Sequence, residues 1–225
     1  MSTDPRHQAL IESLGAGLMP VRRLWPAWQR TLGWLLVVAA IAVVLLMHYG
    51  TTPMLERWAG APDLAWAAAG AVLTTICAAW AAFVLGVPGR SRAWAWLPLP
   101  GALLWIGASG LGCLRTWLAP GTSIATIHQS ADCLLFIVGF SIPLAALMIG
   151  LLRRACPLHP ALAATLVGLA SASASASLLE ICHAYDAAAT DLLTHALAVG
   201  IVIVANALMG GRLLSRRWRT GRMPG

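Results

Sequence analysis

The stretch LLEICHAYD, residues 178–186, gathers Glu180, Cys182, His183, Tyr185 and Asp186 within seven positions of an otherwise apolar chain. A thiol, an imidazole and two carboxylates at that spacing could ligate a soft metal, take part in redox exchange or serve catalysis. No CxxC or HExxH pattern accompanies them, and Asp191 with His195 is a weak i, i+4 pairing. The run therefore needs partners from elsewhere in the chain. What it can do depends on which helices bring them.

The elements are read from hydropathy. Of the 225 residues 59% are hydrophobic and only 10% charged, with mean hydropathy +0.77, where a soluble domain carries about a quarter charged residues. Six apolar stretches, 32–49, 64–87, 94–114, 134–152, 161–181 and 192–211, approach the roughly 20 residues a helix needs to cross hydrocarbon. The expected fold is an all-α membrane protein, a six-helix transmembrane bundle over 32–211. It is flanked by an N-terminal segment, 1–31, and a basic tail, 212–225. Span three carries Pro98 and Pro100 near its start, where a helix tolerates proline. No cleavable signal peptide is expected, because the first 30 or so residues are polar and no A-x-A-like site follows span one.

Charge orients the bundle. All 15 basic residues are Arg. Thirteen of them fall in 1–31, 88–93, 153–160 and 212–225, with only Asp4 and Glu12 as acids there. The opposite side receives Arg57 and Arg115 with six acids. The positive-inside rule then places both termini in the cytoplasm. The net charge of +7 is thereby accounted for without direct nucleic-acid binding.

This topology collects Cys113, Cys133 and Cys182, with His48, His128, His183 and His195, at or near the outer ends of the spans. Three readings stay open on the residues alone. One is a structural disulfide between Cys133 and Cys182. Another is a sensor in which thiols meet a soft metal or an oxidant. The third is a haem or metal oxidoreductase built on the four His. Cys77, inside span two, and Cys156, in RRACPLHP, read as ordinary small or reduced thiols. GLASASASAS (168–177) reads as a close-packing face, Pro143 as a kink in span four, and Asn206 as interhelical glue. A transporter would need polar groups at mid-bilayer, and the spans offer almost none.

On the cytoplasmic side, Thr3 or Asp4 can cap a helix and Pro5 suits its first turn. Leu10, Ile11, Leu14 and Leu18 form one apolar stripe on a helix expected over 5–19, ended by Pro20. Such a short helix needs a surface, either the membrane or a partner protein. PVRRLWPAW follows as a juxtamembrane anchor, with Arg22 and Arg23 for headgroups and Trp25 and Trp28 for the interface.

Several motifs resemble the NrsF family of bacterial inner-membrane anti-sigma factors. They are PVRRL, VPGRSRAW (87–94), LGCLRTWL (111–118), Cys133, RRACPLHP (153–160), the Cys182 segment, THALAV (194–199) and GGRLLSRRW (210–218). The resemblance implies six helices and no enzymatic activity. It implies an extracytoplasmic-function sigma factor held by the N-terminal helix and released on a stress signal such as heavy metal or oxidant. Its sensor positions correspond to Cys133 and Cys182, with Cys113 secondary and His183, Asp186, His128 and His195 as neighbours. In the family the second cysteine often follows a His, whereas here His183 follows Cys182. No resident cofactor is implied, although the outer cysteines could hold a metal transiently.

Overall fold

In hydrocarbon every backbone N–H and C=O has to be satisfied within the chain, so spanning segments without strand partners become helices. The computed structural model describes residues 5–16, 24–118, 127–155, 157–182 and 189–215, with the backbone alone at 115–117, 127–130, 189–192, 211 and 215. Their regular structure is entirely helical. In chain order the elements are α1 (Pro5–Ala16), α2 (Ala27–Tyr49), α3 (Thr52–Gly60), α4 (Pro62–Leu85), a 3₁₀ segment Arg92–Trp96, α5 (Leu99–Leu118), α6 (Ile127–Leu152), α7 (Pro160–Cys182) and α8 (Ala189–Ala205). A π-helical turn, Asn206–Gly210, joins α8 to α9 (Gly211–Ser215).

Six stretches are long and apolar enough to cross a membrane: Ala27–Tyr49, Pro62–Leu85, Arg92–Leu114, Ala131–Leu152, Pro160–Cys182 and Leu193–Leu214. Pro100 falls in the first turn of α5, where its missing N–H deprives no carbonyl. Pro143 sits inside α6, which continues past it to Leu152.

The axis of the bundle is α7, whose most apolar window is 78% buried against 11% for α2. It packs against α2, α4, α6 and α8. Its run of Ala and Ser explains this position, because small side chains let neighbouring backbones close in. A Cβ added at Gly168 would lie 2.8 Å from the Cα of Ile203 on α8. Between α4 and α5 the approach is similar: a Cβ at Gly70 would come 2.5 Å from the backbone nitrogen of Trp105. The serines do more than make room. Thr75 Oγ1 on α4 lies 2.9 Å from Ser173 Oγ, and Ser141 Oγ on α6 lies 3.1 Å from Ser175 Oγ.

Two expectations are corrected. Asn206 was expected to bond between helices, but its Nδ2 donates to Val202 O one turn back on its own helix, and it meets α7 through packing near Gly168. Arg30 was expected in the cytoplasmic segment, yet α2 begins at Ala27 and buries it to 4% exposure. Between spans one and two lies the short helix α3, for which hydropathy gave no expectation.

Candidate functional site

Two ends of the bundle differ in chemistry. The arginine-rich end holds the start of α2, the end of α4, the 3₁₀ segment, the end of α6 and the start of α7. Arg92 Nε there donates to His159 Nε2 at 2.9 Å. The thiol end holds α3, the start of α4, and the ends of α5 and α7 with the first half of α6 and α8.

At the thiol end Cys133 is part of α6 rather than of the preceding loop, and it is 6% exposed. It is packed in one apolar cluster with Ile137, Leu179 of α7 and Ala198 of α8. Leu179 is three residues before Cys182, and Ala198 is three residues after His195, in each case about one helical turn. The α6–α7–α8 junction therefore brings the neighbourhoods of Cys133, Cys182 and His195 together from three distant segments. Cys182 is half-buried, and its Sγ donates weakly to Leu178 O at 3.8 Å. Cys113 is half-buried on α5, a helix packed chiefly on α4 and touching α8. Cys77, Cys113, Cys133 and Cys182 are all present as thiols, not disulfides.

The histidines are less gathered. His48 is exposed at the end of α2, edge-on to Tyr49 with ring centroids 4.8 Å apart. His195 lies half-buried on α8. Among the described residues no three His, Cys, Asp or Glu side chains converge to hold a metal ion. His183, Asp186 and the side chain of His128 lie outside the described residues.

One residue here escaped the sequence reading. Arg57 Nη2, on α3, donates to the backbone carbonyl of Glu180 in the last turn of α7. The bond is a charge-assisted tie from α3 to the backbone of α7. Arg57 thus clamps α7 two residues from Cys182. Thr51, Thr52 and Pro53 before LERWAG, a helix-start signal, were the clue.

On the other end, α1 is described from Pro5 to Ala16, and residues 17–19 of the expected helix lie outside the described residues. None of its residues is buried, and Leu10, Ile11 and Leu14 are 55%, 68% and 65% exposed. Trp25 and Trp28 are likewise exposed. Leu18, Arg22 and Arg23 lie outside the described residues.

A comparison with protein families matches residues 14–218 to the one described as "Negative regulator of sigma F", NrsF. The match covers nearly the whole chain. The protein belongs to the NrsF family. No curated protein and no solved structure gives a significant match. Membership in NrsF makes the chain a negative regulator of a sigma factor, which is its partner, and its six apolar helices make it a membrane protein. This is a family of regulators rather than of enzymes. The match starts at residue 14, within α1.

The bundle also shows how span one, which follows the N-terminal segment, is held. Only Arg30, Thr31 and Trp34 of α2 are buried. Arg30 Nη2 donates to Phe83 O at 3.2 Å in the last turn of α4, and the guanidinium lies 5.2 Å from the Phe83 ring centroid. Trp34 Nε1 donates to Leu144 O of α6 at 3.1 Å.

Proposed function

We propose that this NrsF protein is an inner-membrane anti-sigma factor with both termini in the cytoplasm. In this reading α1 holds an extracytoplasmic-function sigma factor, and the thiols at the periplasmic end govern its release. The observation that carries the proposal is α1 itself. It is a helix with no buried residue, and it presents Leu10, Ile11 and Leu14 as an uncovered apolar stripe. An amphipathic helix of three turns is marginal alone and gains its stability from the groove that covers the stripe. The polymerase-binding surface of a sigma factor is the occupant that membership in a sigma-regulator family favours.

Release is assigned to Cys133 and Cys182, with Cys113 in a secondary role. A soft divalent cation would displace the two thiol protons and ligate both sulfurs. A hydroperoxide would instead oxidise the pair to a disulfide, taking both protons and two electrons and leaving as alcohol and water. Either event pulls α6 and α7 together around the buried Cys133. To move a regulator from mostly bound to mostly free, the two bundle states have to differ by a few kcal/mol in affinity for the partner. The haem reading draws less support, because His48 and His195 sit on α2 and α8, and α2 packs against α4, α6 and α7.

The test is co-purification from the native host, with Leu14→Glu as the comparison. The parent chain should bring down a sigma factor, and the variant should lose it while remaining in the membrane. Retention of the sigma factor by Leu14→Glu at parental yield would remove α1 from the docking site.

A further inference from the structure

A groove of about 320 Å³ lies between α5, α7 and α8, lined among others by Trp105, Ser109, His195, Val199, Gly200 and Ile203. Its walls are apolar except at one end, where Ser109 and His195 sit toward the thiol end of the bundle. From His195 to Ile203 is eight residues, about 12 Å of helix. Half of a hydrocarbon core is about 15 Å. The groove therefore runs from near one edge of the membrane to near its midplane, within a single leaflet.

Ser109 differs from the buried hydroxyls of the bundle. Thr75, Ser141, Ser171 and Ser175 each donate to the carbonyl four residues back, whereas the Ser109 hydroxyl has no hydrogen bond among the described residues. In hydrocarbon no water compensates an unmade hydrogen bond, so a hydroxyl facing such a groove favours an occupant that brings an acceptor. An acceptor at the rim and a slender apolar body reaching the midplane describe an esterified acyl chain. The groove is a slot, not a flat lipid-facing surface, because α7 closes its floor at Leu169.

We propose that this groove binds one acyl chain of a glycerophospholipid from the leaflet at the thiol end. Its ester carbonyl accepts from Ser109 beside His195, and its tail lies along Trp105, Val199 and Ile203. The bound chain bridges α5 to α8, the helices that carry Cys113 and His195. This goes beyond the sigma-factor reading and stands or falls separately from it.

The experiment reconstitutes the full-length protein in vesicles of phosphatidylethanolamine and phosphatidylglycerol. A trace of phosphatidylcholine with a diazirine in its acyl chain is added, the sample is irradiated, and labelled peptides are mapped. Labelling should concentrate on the α5 and α8 peptides lining the groove, above the level on α2 around the exposed Leu36. Gly200→Phe fills the slot; a Cβ at Gly200 meets nothing within 4 Å, so the backbone admits the ring. With the slot filled the acyl chain is excluded by sterics, and groove labelling should fall to the level on α2. Ala196→Phe, at an exposed position on the rim, is the second variant should Gly200→Phe fail to fold. Ser109→Ala keeps the slot and should reduce labelling by less. Equal labelling of groove and α2, or groove labelling unchanged in a folded plugging variant, overturns the proposal. So does a prenylquinone co-purifying in stoichiometric amount, which would make the occupant a different lipid.

Discussion

Replacing Trp34 tests how span one is attached. In lipid, exposing an apolar side chain costs little, so the packing of a buried residue and its hydrogen bonds carry most of its contribution. Trp34 is fully buried among residues of α4, α6 and α7, and donates to Leu144 O. If the cavity left by Trp34→Ala persisted, on the order of 140 Å³ at about 24 cal/mol per Å³, the loss would be roughly 3 kcal/mol. Trp34→Phe leaves a smaller void and removes the indole N–H. It should cost about 1.5 kcal/mol, of which the interhelical hydrogen bond is about 0.6. Because α2 buries only two other residues, much of this loss should appear as detachment of span one rather than as global unfolding. Two readouts separate these outcomes. One is unfolding free energy in mixed micelles; the other is protease cleavage between residues 50 and 61 in folded protein. Trp34→Ala should lower the first by roughly 3 kcal/mol and raise the second before the bundle opens. A loss below about 1 kcal/mol with unchanged cleavage would refute the claim that Trp34 anchors α2.

Other perturbations address the thiol end. Cys133→Ser combined with Cys182→Ser should leave the sigma-dependent reporter repressed under both cadmium and peroxide. A parental response in the double variant would take these thiols out of the sensor. Arg57→Gln removes the donor to Glu180 O and should fray the last turn of α7 by about 1 kcal/mol, raising maleimide labelling of Cys182 about fivefold. Unchanged labelling would show that α7 is held there without help from α3.

The spans were legible because their apolar length is set by the membrane, which needs no tertiary information. Close packing at GLASASASAS was legible for a similar reason: small residues in lipid have few other uses. Arg30 was misplaced because a window scan starts span one where charge ends. A guanidinium at a helix start can instead turn onto the unsatisfied carbonyls of a neighbouring helix end, here Phe83 O. Its Nε and Nη1 stay buried without partners among the described residues, an expense that hydropathy does not register. α3 escaped because nine residues with two charges fall below any spanning signal, although its start signal was present. For Cys113, Cys133 and Cys182, the sequence placed each at a span end. That α6, α7 and α8 meet around Cys133, while α5 carries Cys113 on another flank, depends on helix adjacency, which hydropathy does not encode.

The attachment of α2 also bears on how a thiol event could reach α1. Its second half presents Val43, Val44 and Met47 outward and buries none of its residues, so span one is poorly built to carry a push from its own outer end. By contrast α6 has a continuous buried stripe from Cys133 through Ile137, Ser141, Leu144, Met148 and Leu152. Midway along it Ser141 bonds Ser175 of α7, and Leu144 O receives the Trp34 indole. Pro143 lies between these two contacts, and its missing N–H leaves the helix one backbone bond short at the Gly139 carbonyl. On the proposed function, a change of α6 against α7 at Cys133 is therefore expressed at Leu144, where it meets the one indole that fixes span one. The eight residues from Ala27 to Trp34 then connect that contact to the segment carrying α1. Coupling along this route requires Trp34 and Leu144 to adopt two discrete arrangements, since packed cores switch rather than stretch.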